Sequence, residues 1–157
     1  MGTYGYISII AMVCYAFMLL MFLAAKRNKI VNSFLVVLTG LLLWTGGSAF
    51  MRAQLWPQYA FWYQVSLFGI LLLPYAYYRF ILAFGGVREG MVGKLYLAVI
   101  LTCLVANIWN GFFLACPELV EKNGTPTFVY DIKPTILVLF FLVGAFLLHL
   151  FVILVHI

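Results

Sequence analysis

Long apolar runs separated by short polar clusters make up almost the whole chain. A transmembrane helix takes about 20 mainly apolar residues, and five runs reach that length. The pattern predicts helical spans over about 6–25, 31–51, 59–84, 95–114 and 135–157. Charges sit between the runs rather than alternating within them, which excludes the short alternating segments of a β-barrel. The expected fold class is therefore all-α: a polytopic transmembrane helix bundle forming one integral membrane domain over residues 1–157.

The polar clusters also set an orientation. Lys26-Arg27-Asn28-Lys29 is the densest positive cluster, and the positive-inside rule places it in the cytoplasm. The N-terminus is then outside and, after five spans, the C-terminus is cytoplasmic. The loop with Arg88, Glu89 and Lys94 is again net positive. The segment 115–134, with Glu118, Glu121, Lys122, Asp131 and Lys133, nearly cancels its charge, as suits an outer loop. Pro117, Asn123-Gly124 and Pro126 supply turn chemistry there. Phe128-Val129-Tyr130 reads either as a short strand or as a segment lying on the membrane surface. Tyr4, Tyr6 and Trp56 suit the outer interface, where amphipathic rings are favoured. The first run is not a cleavable signal, because its basic residues follow the apolar stretch.

Composition sharpens the class. The 157 residues are 67% hydrophobic and 8% charged, with mean hydropathy +1.15. That is too much apolar surface for a water-soluble domain of this size, and a multi-pass protein of the inner (cytoplasmic) membrane is expected. The formal charge of +5 reports orientation and anionic lipid headgroups rather than nucleic acid. Cys14, Cys103 and Cys116 lack metal-ligand spacing and imply no disulfide framework. No nucleophile–base pair stands out, so neither catalysis nor a cofactor is expected.

The chain is organised around its third span. Trp62, Gln64, Ser66 and Gly69 lead to Pro74, then Tyr75, Tyr77, Tyr78 and Arg79. Proline inside a helix removes a hydrogen bond and clashes with the preceding turn, so a hinge is expected at Pro74. Arg79 lies about 30 Å from Tyr59 at 1.5 Å per residue. There it either snorkels to the inner headgroups or, with Tyr75 and Tyr78 on its face, forms a polar contact that changes between states. In the second span Gly40, Trp44, Gly47 and Ser48 share a face. That face is a packing seam or a cavity wall with Trp44 as a platform. In the fourth span Cys103, Asn107 and Asn110 share a face, either as interhelical glue or as the lining of an outward-opening pocket. Candidate ligand-binding residues are Trp44, Gln64, Asn107 and Asn110. Candidate switch residues are Pro74, Tyr75, Tyr78 and Arg79. His149 and His156 share a face of the last span, where hydrogen bonds to neighbouring helices are expected.

The order of these motifs resembles a family. The basic loop Lys26 to Lys29, the run Phe34 to Leu43 with Trp44, then Trp62, Leu67-Phe68-Gly69, Leu71 to Pro74 and Phe80 to Phe84 look like the N-terminal seven-helix sensor region of bacterial histidine kinases. The resemblance covers about residues 15–157. It implies a membrane bundle that detects an extracellular or lipid-phase ligand and passes a helix shift to a cytoplasmic output. Five of the seven helices are expected here, and Arg79 stands where the family has an apolar residue. A second reading is a small accessory subunit of a larger membrane complex, its flat apolar faces buried against other transmembrane helices, lipid or pigment. A transporter would need paired intramembrane charges or broken helices in repeated halves, which the sequence lacks.

Overall fold

The computed structural model describes residues 3–122 and 125–156. Five helices and one hairpin follow in order: α1 (Thr3–Leu23), α2 (Lys29–Arg52), α3 (Tyr59–Gly85), α4 (Met91–Asn110), β1 (Glu118–Lys122), β2 (Thr125–Val129) and α5 (Ile136–His156). All five helices are long and apolar enough to cross a membrane, and the chain is a multi-pass membrane bundle. Of the two readings of Phe128-Val129-Tyr130, the strand holds for Phe128 and Val129, which lie in β2, with Tyr130 just beyond it. β2 pairs antiparallel with β1 from Glu118 opposite Val129 to Lys122 opposite Thr125, so one small hairpin is added to the all-helical plan. The Asn123-Gly124 turn and the side chains of Tyr4 and His156 lie outside the described residues.

Local chemistry sets the boundaries. Asn28 caps α2, its side chain accepting from the Val31 N–H at 2.7 Å. Gly86 ends α3 in the left-handed region, φ 68°, where only glycine sits without strain. α4 begins and ends about four residues earlier than expected. Gly111, φ 55°, stops it at Asn110 although Phe112, Phe113 and Leu114 continue the apolar run. α3 passes unbroken through Pro74.

The helices pack in a row: α1 on α2, α2 on α3, and α3 on both α4 and α5. Lipid is as apolar as leucine, so helices in a membrane associate through close packing and interhelical hydrogen bonds. The tightest pairing, α2 with α3, follows that rule. A Cβ at Gly47 would stand 2.6 Å from the Ser66 nitrogen, and one at Gly69 would collide with the Trp44 backbone. Two backbones meet there, and the Ser66 hydroxyl donates to the Trp44 carbonyl at 2.9 Å.

Around α3 the interior is rich in tyrosine. Tyr63, Tyr75, Tyr78 and Tyr96 are all buried, while Phe141, Leu148 and Val155 face outward. α5 is pinned by Phe146, whose ring stacks on Tyr96 at 3.7 Å and meets Tyr78 at 5.4 Å. His149 is half-buried and has no hydrogen-bond partner among the described residues.

Candidate functional site

A cavity of about 380 Å³ opens between α2, α3, α4 and α5 on the hairpin side of the bundle. One face of α3 forms its long wall, with Tyr63, Ser66, Leu67, Ile70, Leu71 and Pro74 at helical spacing. Trp44, Ser48 and Met51 close it from α2, and Leu139, Phe140 and Val143 from α5. Its size lies within the range of small-molecule sites, about 300–1,000 Å³.

The end of α4 forms the remaining wall. Asn107 is only 2% exposed, and its side-chain oxygen accepts from the backbone N–H groups of Phe113 and Leu114 at 3.0 and 2.9 Å. Its amide nitrogen donates to the Leu114 carbonyl at 3.1 Å, and the Tyr63 hydroxyl donates to that same oxygen at 3.1 Å. One asparagine thus replaces the helical partners that the chain gives up at Gly111 and binds the following turn to α3. Thr135, just before α5, donates to the Phe112 carbonyl, and Leu114 bridges to Ile132. The hairpin leans on α3 through Phe128 and Tyr59, their rings 5.8 Å apart.

The polar groups of Tyr63, Ser66 and Asn107 are therefore already engaged. The Ser48 hydroxyl, the Trp44 indole N–H and the Tyr130 hydroxyl remain without a hydrogen-bond partner among the described residues. Burial pushes up the pKa of the Tyr130 hydroxyl on the cavity wall and of the Cys116 thiol near it, so both groups are neutral near pH 7. The cavity is suited to an apolar molecule with one or two hydrogen-bond acceptors, and it offers nothing to neutralise a charge.

Beyond Pro74, α3 carries a second set of contacts. The Tyr75 hydroxyl donates to Glu89 at 2.8 Å, and the Gly90 N–H donates to the Tyr78 hydroxyl at 3.3 Å. A Cβ at Gly93 would run into the Tyr78 ring, so glycine is what lets α4 approach α3 there. Tyr75 and Tyr78 thus tie α3 to the α3–α4 loop. Arg79 is exposed and points to a different cleft, beside Lys29 and Arg88.

Of the four candidate ligand-binding residues, Trp44 and Asn107 line the cavity, Asn107 with its polar atoms committed to backbone. Gln64 lies outside it, its side-chain oxygen buried without a partner among the described residues. Asn110 is exposed beyond the cavity at the end of α4. The Gly40–Gly47 face of α2 divides its work: the glycines form the seam against α3, and the Trp44 side chain faces the cavity. Tyr63 and the α5 face were not singled out from sequence. The signal available was their spacing, since Tyr63, Ser66, Ile70 and Pro74 recur every three or four residues along one face of α3.

The model of the N-terminal 7TM region of histidine kinase matches residues 7–157. No curated protein and no solved structure matches the chain significantly. The five apolar helices fit a partial form of a seven-helix bundle. By that match, over nearly its whole length, the chain belongs to the N-terminal 7TM region family of histidine kinases, a membrane sensor region of signal-transduction proteins.

Proposed function

We propose that this chain is the non-catalytic ligand-sensing input of a histidine kinase in the cytoplasmic membrane, with its N-terminus outside and its C-terminus inside. The ligand is a small apolar molecule, arriving from outside or through the lipid phase, that fills the cavity against Trp44 and Pro74. The observation that carries this reading is the position of Pro74. It forms part of the cavity wall, and the next residue, Tyr75, reaches Glu89 in the α3–α4 loop. A ligand pressing on that wall therefore acts where α3 lacks one backbone hydrogen bond and one residue from a contact with the loop.

A ligand shifts a conformational balance only by its difference in affinity for the two states. Couplings of about 1–3 kcal/mol, or roughly 5–150-fold, are typical of such devices. Losing the Tyr75–Glu89 bond while filling the cavity falls within that range, since a hydrogen bond to a charged group contributes about 1.5–3 kcal/mol.

The test uses the native polypeptide purified gently into nanodiscs, with intact mass, identification of bound small molecules and autophosphorylation measured together. A polypeptide containing this sequence and a kinase, carrying an apolar ligand, is expected. Val143→Trp, which fills the cavity, abolishes both ligand retention and the response. Tyr75→Phe retains the ligand but weakens the response. A mass of the 157 residues alone, fixed in stoichiometric assembly with other membrane proteins and without phosphotransfer, overturns the proposal in favour of an accessory subunit.

A further inference from the structure

A second cleft, of about 560 Å³, lies between the start of α2 and the end of α3, at the opposite end of α2 from Trp44. Lys29, Arg79 and Arg88 all line it, and none has an ion-pair partner among the described residues. The one carboxylate on its wall, Glu89, already accepts from Tyr75 at 2.8 Å. Three cations and one carboxylate leave a net charge of two positive units. Ser33 also faces the cleft, although it is only 8% exposed, and its hydroxyl has no partner among the described residues. That hydroxyl adds an uncharged donor to the three cations of the wall, a set that complements the oxygens of a phosphate.

We propose that this cleft binds the phosphate of an anionic phospholipid headgroup. The rim supplies the charge: Lys29 is the first residue of α2, where free backbone N–H groups and the helix dipole also favour an anion. The deeper wall is apolar, with Val36, Leu82 and Ala83. A free phosphate would leave that wall unused, whereas a lipid covers it with its glycerol backbone and acyl chains. Basic pockets between helices at the inner face of a membrane are suited to such headgroups. The site is independent of the ligand cavity and stands whether or not that cavity senses anything.

The test is lipid retention by the delipidated protein in detergent, read by native mass spectrometry. Short-chain phosphatidylglycerol is titrated against phosphatidylcholine of the same chain length. One phosphatidylglycerol per chain is expected to bind in preference to phosphatidylcholine. Each cation near a membrane surface contributes about fivefold in affinity, so Arg79→Gln and Arg88→Gln should each weaken binding by about that factor. Glu89→Gln removes the one repulsive charge while keeping an acceptor for Tyr75, and it should tighten binding by a similar factor. That gain keeps the test decisive if an arginine variant folds poorly. Lys133→Gln, remote from the cleft, should change nothing. Equal retention of the two lipids, or no strengthening in Glu89→Gln, overturns the site. Displacement of phosphatidylglycerol by millimolar inorganic phosphate overturns the lipid assignment and makes free phosphate the ligand.

Discussion

The seam between α2 and α3 gives the most exacting prediction. A Cβ added at Gly47 would lie 2.6 Å from the Ser66 nitrogen, 2.8 Å from the Trp62 oxygen and 2.9 Å from the Ser66 Cα. All three are backbone atoms that no rotamer change can move aside. Ordinary contact begins near 3.4 Å, so the helices must separate by roughly 0.8 Å, a strain in the range of about 1–3 kcal/mol for overpacking. The same displacement stretches the 2.9 Å bond from Ser66 to Trp44, a bond of the kind that contributes about 0.6 kcal/mol between membrane helices. Alanine returns about 0.5–1 kcal/mol through its better helix propensity. The net expectation for Gly47→Ala is a destabilisation of about 1–2 kcal/mol, and Gly69→Ala, which meets the Trp44 backbone, should behave alike. Two other glycines serve as internal controls. At Gly46 a Cβ comes no closer than 3.5 Å to the flexible Met12 sulfur, and at Gly144 it meets nothing within 4 Å. Gly46→Ala should be neutral and Gly144→Ala neutral or stabilising by up to about 1 kcal/mol. Reversible unfolding in mixed detergent–SDS micelles, followed by tryptophan fluorescence, measures all four. Gly47→Ala as stable as the parent, or Gly144→Ala as damaged as Gly47→Ala, would refute the reasoning.

Other consequences are open to simple measurements. Asn107→Leu leaves the Phe113 and Leu114 N–H groups without their acceptor, and the same unfolding assay should show a loss of about 2–4 kcal/mol; a loss under about 0.5 kcal/mol would exclude the role given to this residue. Burial raises the Cys116 pKa, so its alkylation by iodoacetamide should rise with pH at a midpoint above that of an unfolded thiol, about 8.5. By linkage, the stability tied to the neutral thiol is complete below the unfolded pKa and fades as pH rises through the folded one. A midpoint at or below the unfolded value contradicts the burial. In a cysteine-free background, a membrane-impermeant maleimide applied to intact cells should label Leu119→Cys in the hairpin and spare Arg88→Cys; the reverse pattern inverts the orientation.

All five spans were legible in the sequence because length and hydropathy are local properties. The edges of α4 were not. Gly93 and Lys94 look like loop residues, yet the helix starts at Met91 and Gly93 fits beneath the Tyr78 ring. At its other end Phe112, Phe113 and Leu114 look like more helix. Asn107, two turns of chain earlier in the pattern, takes up the backbone N–H groups that would have continued it, the competition between side chain and helix for which asparagine is known. For the candidate site the obstacle was rotational phase. Gln64 has the right depth and the right chemistry, but depth does not say which way a helix is turned, while Asn110 shares a face with Asn107 and lies beyond the cavity because α4 stops there. Only the packing of α3 against its neighbours decides that Ser66 and Pro74 face the cavity while Gln64 does not. Trp44 falls on the cavity side because Gly40 and Gly47 beside it bring α2 close to α3, and Asn107 does because the Leu114 carbonyl it holds is also held by Tyr63 of α3.

The shared carbonyl of Leu114, held at once by Asn107 and Tyr63, has a mechanical consequence. It anchors α3 at its hairpin end, as a fulcrum anchors a beam. Pro74 lies 11 residues from Tyr63 and 11 from Gly85, about 16 Å on either side at 1.5 Å per residue. With one arm clamped, a bend at the proline would move the other arm together with the α3–α4 loop that Tyr75 and Tyr78 bind. A tilt of about 5° over that arm displaces its tip by roughly 1.4 Å. Arg79 and Leu82 lie 5 and 8 residues along that arm, so the same tilt would shift them by roughly 0.7 and 1 Å against Lys29 and Ser33, widening or narrowing the jaws proposed to grip the headgroup.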